Sequence, residues 1–390
     1  MDYNISAIIP CYNCKKFIKK TVDSLINQTI QVKEIILIND ASTDDTLEIL
    51  RQIKENNKDI VKIIDFQENK GASYTRNYGV KISRADYILF MDSDDIAELT
   101  LIESYKSRLQ ELNDGVEDKY ALCYSAYVQI DEKDNEISKI IKGIQVEAKE
   151  ILGYEFLRNY IISTSGVLVY KKFFLECGGF NEKLVYSEDW DLWLKLAMKG
   201  GFAYINKPMI KLRRHLNNIS SNIKNMLEGE KKVLSNYDID FIESSIYRRN
   251  LPYEKNTIDF VSMLFKFDYW EEGYNKLSQT ISLGYSSDSL FFYLGLYYLK
   301  RNHIEEARIS FDKVLKLNSF HGAALNNIGS IYLLMNNKEL AKEYFLKALK
   351  IHSNYIDANS NLELLNKHEI NKHEIKFTWR ELRGVLINYV

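Results

Sequence analysis

Hydrophobic positions follow two different periods along this chain. Up to Met91, short apolar runs alternate with stretches of helical period. Ile5–Pro10 (ISAIIP), Glu34–Asp40 (EIILIND), Ile60–Phe66 (IVKIIDF) and Asp86–Met91 (DYILFM) read as strands. Such near-continuous apolar runs suit strands covered on both faces. Between them, Lys15–Asn27, Thr43–Asn56 and Gly71–Ser83 read as helices, with Asp44 and Asp45 in the first turn of the second, where the macrodipole favours acids. The alternation predicts an α/β domain built on a mainly parallel sheet. Ligands of such sheets bind outside the carboxyl ends of the strands, so Asp40 and Asp92 are expected on one rim. A mixed region follows. Ala121–Ile130 and Ser165–Tyr170 read as strands, Ser187–Gly200 as a helix with acids at its start, and Met209–His215 as a last strand or extended segment. The domain is expected to span 1–220, with a helical linker over 221–255.

From about Asn256 the pattern is helical throughout. Gly295 and Gly329, Tyr298 and Tyr332, Ala307 and Ala341, Phe311 and Phe345, and Leu315 and Leu349 are each thirty-four positions apart. Small residues at matched sites let paired helices approach closely, and the aromatics fill the gaps. This resembles the tetratricopeptide repeat, with Ser319 and Ser353 in place of the usual proline. A weaker repeat precedes, with Phe260, Gly273 and Leu277 in register, and Ile356–Leu365 reads as a capping helix. Repeats are expected over 256–365, docked on the first domain because short stacks are marginal alone. The resemblance implies a surface for a protein partner or for self-association. In the tail, 366–390, NKHEI occurs twice in succession. Its histidines, His368 and His373, do not share a helix face, which favours a charged surface segment over a metal site.

The 390 residues carry a net charge of -2 and 46% hydrophobic content, enough for two or three cored domains and without the basic excess of a nucleic-acid binder. Lys15, Lys16, Lys19 and Lys20 form the densest basic cluster, read as a solvated helix face, with a phosphate or peripheral membrane contact as the alternative. Cys11 and Cys14 form a lone CxxC with no second pair to complete a zinc site, and Cys123 and Cys177 are isolated. Scattered cysteines fit a reducing compartment. No secretory pattern opens the chain, and no apolar run is long enough for a bilayer; the run from Phe291 stops at Lys300 and Arg301. A cytoplasmic location is expected.

Candidate chemistry lies in two acidic groups. Asp92-Ser93-Asp94 closes the fourth predicted strand, and Glu188-Asp189-Trp190-Asp191 opens a helix. Acids often end strands or start helices for structural reasons alone. Two carboxylates one residue apart on a ligand-binding rim also suit a hard divalent cation, which would neutralise a diphosphate.

Six ordered stretches carry a resemblance over roughly residues 4–220: AIIPCYN, EIILINDASTDDT, NKGASYTRNYG, ADYILFMDSDD, GGF with SEDWDLWLKL, and KLRRHLNNIS. The region resembles the inverting family 2 glycosyltransferases of GT-A fold. The resemblance implies a nucleoside diphosphate sugar donor, by family habit UDP-linked, held by Pro10, Tyr12, Asp40, Arg76, Asp92 and Ser93. It implies Mn2+ or Mg2+ at Asp92, Asp94 and His215, and Asp189 as the base that takes the acceptor's proton. Glu188 and Trp190 are candidate sugar or acceptor contacts, and Trp193 reads as core or as a stacking ring. Several alternatives stand beside these roles. Asp40 is also a turn residue, Arg76 a surface ion pair, Asp95 a helix cap and His215 a structural histidine. Arg213 and Arg214 are both candidate phosphate contacts, and the sequence does not say which. The acceptor would be a glycan, as in bacterial cell-surface polysaccharide synthesis, or a protein. A nucleotidyltransferase is disfavoured because PCYNCKKF lacks glycine, and a dinucleotide dehydrogenase because no GxGxxG follows the first strand. Intact Asp92, Asp94 and Asp189 argue against a non-catalytic repeat scaffold.

Overall fold

A computed structural model describes residues 3–113, 119–215, 223–367 and 369–381. The chain forms two compact units, Met1–Asn250 and Leu251–Val390. The first is built on an eight-stranded mixed sheet of order β3-β2-β1-β4-β7-β6-β8-β5. Here β1 is Ile5–Cys11, β2 Glu34–Asp40, β3 Val61–Phe66, β4 Tyr87–Phe90, β5 Ile96–Ala97, β6 Tyr120–Ile130, β7 Val167–Tyr170 and β8 Gly201–Arg213. Strands β1 to β4 run parallel, with Cys11 opposite Asn39 and Ile8 opposite Phe90. Their carboxyl ends therefore share one edge.

Apolar spacing docks the helices on this sheet. In α1 (Ile18–Ile26), Ile18, Val22 and Leu25 are fully buried, while Lys19 and Lys20 face outward and pair with Asp23 and Asp134. The lysine cluster is thus a solvated, ion-paired face. α2 is Thr46–Asn56 and α3 Ala72–Ile82. Two segments depart from the sequence pattern. Helix α4 (Leu101–Asn113) begins well after Asp95, because Ile96 and Ala97 first pair antiparallel with Lys211 and Ile210 of β8. Asp95 is therefore not a helix cap. Strand β8 begins at Gly201 rather than Met209: the polar Asn206-Lys207-Pro208 breaks the alternation, and the proline sits at a register shift opposite Ala126, where a missing N–H is tolerated.

Contact within the first unit continues to Asn250. Phe156, just after α5 (Ile151–Glu155), packs edge-on against Tyr237 and Phe241, the latter in α9 (Ile239–Ile246). Helix α8 (Ile223–Leu234) packs on α7 (Glu188–Ala197). The stretch expected as a linker thus supplies helices to this unit. Between them, α6 is Lys171–Glu176.

The second unit stacks α10 (Tyr253–Lys266), α11 (Trp270–Ser282), α12 (Asp288–Lys300), α13 (Ile304–Leu317), α14 (Gly322–Leu334), α15 (Lys338–Ile351) and α16 (Ile356–Leu364). A Cβ on Gly295 or Gly329 would lie 2.6 Å from the ring of Phe311 or Phe345, which is why these repeat positions carry glycine. A further periodicity marks the first pair as a true repeat. Asp268, Asn302 and Asn336 all take left-handed φ, of 69°, 59° and 60°, at the equivalent turn, a conformation Asn and Asp tolerate. Among the described residues, no helix is long and apolar enough to cross a membrane.

Candidate active site

The rim is formed where β1, β2 and β4 end side by side. Pro10 is the half-buried penultimate residue of β1, and Tyr12, just past the strand's end at Cys11, is exposed. The turns after β1 and β2 are laced together. Asn13, itself left-handed at φ 50°, accepts the Thr43 amide at 2.8 Å, and the Cys14 amide donates to Thr46 Oγ1 at 2.9 Å. Cys11 and Cys14 are buried in the adjoining core. Asp40 is buried, and its two oxygens accept the Lys70 and Gly71 amides at 2.7 and 2.9 Å. It fixes the entry to α3, the turn role that stood beside its donor role.

That anchoring sets Arg76, one turn into α3. Its guanidinium is buried, lies over the Phe180 ring and donates to Asp92 Oδ1 at 2.7 Å. It is not a surface ion pair. Ser93 is tied to α1, its carbonyl accepting the Thr21 hydroxyl at 3.0 Å. Asp94 Oδ2 lies 2.9 Å from His215 Nε2, just past the end of β8, and the His215 ring stacks on Phe17. The antiparallel pairing of β5 with β8 brings these two together across 121 positions of sequence. Burial and the neighbouring Asp92 push the Asp94 carboxyl up, while His215 pulls it down. Asp95 is fully buried and accepts the Arg213 amide at 2.7 Å.

Arg213 holds this loop from behind and does not face a phosphate. Its side chain is wholly buried, donates to the carbonyls of Asp94 and Asp131 at 2.8 and 2.6 Å, and lies 2.6 Å from the Asp134 carboxylate. Removing one partner of a buried ionic network typically costs about 3–5 kcal/mol. Arg213→Ala is accordingly expected to lower unfolding free energy by about that amount in a denaturant titration; a loss under about 1 kcal/mol would mean the network is not structural.

The second acidic group starts α7. Ser187 turns into the helix with a left-handed φ of 62°. Asp189 accepts the Trp190 amide at 2.7 Å and the Asn159 side-chain amide at 3.0 Å. Burial raises its carboxyl, and those two donors and Arg76 partly offset the rise. Burial and the adjacent Asp189 raise Glu188 to about 7, against the pull of Arg76. Asp92 acts on Glu188 as well, so the two acidic groups and Arg76 share one electrostatic environment. Trp190 is 1% exposed with its indole N–H on the Glu155 carbonyl at 2.8 Å, and Trp193 is equally buried with its N–H on the Ile161 carbonyl. Both are core, which corrects the reading of Trp190 as a sugar contact: no face of its ring is open. The Glu155 carboxyl is pushed well up by complete burial.

A cavity of about 160 Å3 lies beside this arrangement, lined in part by Tyr124, Tyr127, Arg158, Asn159, Tyr160 and Ser165. Two of its wall residues touch the two acidic groups. Asn159 holds Asp189, and the Ser165 hydroxyl accepts the Asp92 amide at 3.0 Å. Neither was legible in the sequence. Asn159 is one polar residue in an irregular loop, and Ser165 looks like an ordinary strand start.

The donor set at Asp92, Asp94 and His215 suits a divalent ion: carboxylate oxygens and an imidazole nitrogen in a locally acidic loop. Among the described residues no three such side chains already converge on one point, since Asp92 turns to Arg76. A cation here would complete its shell with phosphate oxygens or water, as Mg2+ commonly does. Of the histidines in the tail, His368 lies outside the described residues, and His373 is exposed.

The family model "Glycosyl transferase family 2" matches residues 6–161, and a tetratricopeptide repeat model matches residues 322–355. The chain is 33% identical over 240 residues to the UDP-Glc:alpha-D-GlcNAc-diphosphoundecaprenol beta-1,3-glucosyltransferase WfaP of Escherichia coli, covering 60% of this chain and 87% of that protein. It belongs to glycosyltransferase family 2. The chondroitin synthase of Escherichia coli is 32% identical over 222 residues, 57% of this chain but only 30% of that larger protein. An uncharacterized glycosyltransferase of Rickettsia typhi, RT0329, is 28% identical over 70% of this chain and 82% of its own length. Among solved structures, S. aureus TarS 1-349 aligns over 90% of this chain and 92% of that one, at 16% identity and a TM-score of 0.48. As a family 2 enzyme with GT-A-type topology, the chain is a sugar transferase carrying a repeat module.

Proposed function

We propose that this transferase moves a sugar from a UDP-linked donor, with inversion, to an acceptor hydroxyl deprotonated by Asp189. The observation that carries the proposal is the shared cavity wall, Asn159 on Asp189 and Ser165 on Asp92. The donor would lie along the rim over Tyr12, Arg76 and Asp92, with its diphosphate toward Asp94 and His215. A divalent cation held by Asp94 and His215, with Asp92, would neutralise charge on the departing diphosphate. The acceptor would enter by the tyrosine-lined cavity with its hydroxyl toward Asp189, a saccharide end being favoured by such rings. The UDP donor and glycan acceptor are supported by the likeness to WfaP, a UDP-Glc:alpha-D-GlcNAc-diphosphoundecaprenol beta-1,3-glucosyltransferase.

This chain's own residues prepare the displacement. Asn159 and the Trp190 amide fix the Asp189 carboxylate in orientation, and together with Arg76 they offset part of the rise that burial imposes on it. The anomeric carbon is attacked on the face opposite the leaving diphosphate, and the proton lost by the acceptor passes to Asp189. A panel of nucleotide-sugars, assayed for released nucleoside diphosphate, tests the class and names the donor. Release from one UDP-sugar is expected, and no release from any would overturn the reading.

The pH dependence follows from the same groups. A base must be ionised to act, and a raised value means its proton returns at higher pH. Burial raises the Asp189 carboxyl, while Asn159 and Arg76, which face it, hold part of that rise back. Turnover is therefore expected to fall on the acidic side at a pH above the ordinary aspartate value of about 3.9. A profile flat down to pH 4 would contradict this assignment.

A further inference from the structure

The helical unit contains a polar seam that the transfer reaction does not use. Asn326, Asn327 and Ser330 on α14 and Asn361 on α16 are all completely buried. What covers them is not a helix but an extended stretch of the same chain, Ile375–Thr378. Asn361 Oδ1 accepts the Lys376 amide at 2.8 Å, and its Nδ2 donates to the Lys376 carbonyl at 2.8 Å. Asn327 repeats the pattern two residues on, taking the Thr378 amide at 2.7 Å and donating to the Thr378 carbonyl at 3.0 Å. Asn326 and Ser330 add donors to the Lys376 carbonyl, each at 3.0 Å.

The pattern is that of a strand in a ladder, with side-chain amides in place of a second strand. Helix backbone groups are used up inside the helix, so a helical surface can pair with an extended chain only through side chains. Asn offers one acceptor and two donors, enough for both groups of a peptide unit. The intervening side chains point into apolar sockets. Ile375 is buried beside Leu333, Phe345 and Leu364, and Phe377 packs on the same clusters. The Thr378 hydroxyl is read by Asp357 at 2.8 Å and by Tyr355. The Lys376 side chain is exposed and unread.

A permanent intramolecular cap gains little from such polar chemistry. Replacing both partners of a buried hydrogen bond by apolar groups is close to neutral. A seam of amides differs from an apolar seam chiefly when it is empty. Vacated asparagines take up water, whereas a vacated apolar face would be a sticky patch.

We propose that this seam is a binding site for an extended peptide of another polypeptide, with the pattern apolar–any–aromatic–threonine, and that residues 375–378 are its built-in competitor. Tethering gives the resident segment a high effective concentration, of about millimolar order for short flexible links, so an outside peptide binds well only after the tether is cut or the tail is displaced.

The test cuts the tether without removing the occupant. A protease site replaces the exposed Asn371–His373, the purified full chain is cleaved, and a labelled peptide, IKFTWR (residues 375–380), is titrated by fluorescence anisotropy. Saturable binding is expected to the cleaved protein, at least tenfold tighter than to the uncut one. A peptide methylated on the Thr378 amide nitrogen should bind at least tenfold more weakly, as should one with Thr378→Val, while Lys376→Glu should bind as the parent does. Cleaved, still-helical protein that binds no peptide, or binds the methylated one equally, overturns the proposal. Hydrogen exchange on the intact chain provides a second measurement if the cleaved protein does not survive. The Lys376 and Thr378 amides should exchange faster than those within α14, because the segment leaves while the helices stay folded. Exchange only in step with α14 would make the segment part of the core and the proposal wrong.

Discussion

Asp189→Asn is expected to lower kcat by about 10³-fold, the usual worth of a positioned general base, while UDP affinity in the presence of Mn2+ is unchanged. The substitution is nearly isosteric. It keeps one oxygen, enough for the Trp190 amide that Asp189 now accepts at 2.7 Å, and gives up only the acceptor that the Asn159 side chain reaches at 3.0 Å, so the start of α7 should persist. What it removes is the ability to accept a proton. The donor side proposed above is on the loop after β4, and among the described residues no hydrogen bond of Asp189 reaches it, so nucleotide binding is expected to persist. Isothermal titration of UDP together with steady-state turnover separates the two effects. Normal turnover would remove Asp189 as the base, and a parallel collapse of UDP binding would place it on the donor side.

Asp94→Ala is the converse experiment. It leaves α7 and the cavity intact but strips the carboxylate that His215 approaches at 2.9 Å. Loss of one electrostatic stabiliser of a leaving group typically costs 10² to 10³ in kcat. A decrease of about that size is expected here, together with loss of any difference in UDP affinity between added Mn2+ and added chelator. The fold should tolerate the change, because Arg213 holds the loop through the Asp94 carbonyl and not its side chain. A variant whose UDP binding still responds to Mn2+ as the parent does would show that the cation lies elsewhere.

Particular residues show what could be seen in the sequence. The shared rim of Asp40 and Asp92 follows from strand ends alone, because parallel neighbours present their carboxyl ends together. The direction of each side chain does not. Asp40 turned out to hold backbone amides, and Trp190 and Trp193 both found carbonyl partners inside the core. Asn159 was invisible because an irregular loop has no period to betray which residue points inward, and Ser165 because it reads as the first residue of an ordinary strand. In the helical unit, glycine and phenylalanine at matched sites reported the repeat. The turn residues Asp268, Asn302 and Asn336 reported it again, more quietly, since only their common backbone conformation links aspartate to asparagine. The tail misled through composition. Its lysines, glutamates and histidines look like a solvated segment, and up to Glu374 they are mostly that, but Ile375 and Thr378 are buried. Charge on alternate residues conceals an extended segment that is recognised through its backbone.

The division of labour between the two acidic groups is tested most directly by locating the cation. A crystal grown with Mn2+ and UDP, measured at a wavelength where manganese scatters anomalously, should show one peak within bonding distance of Asp94 and the UDP diphosphate, and none at Glu188 or Asp189. A peak on the Glu188–Asp189 pair would contradict the account, because the carboxylate assigned to the acceptor's proton would then be holding metal.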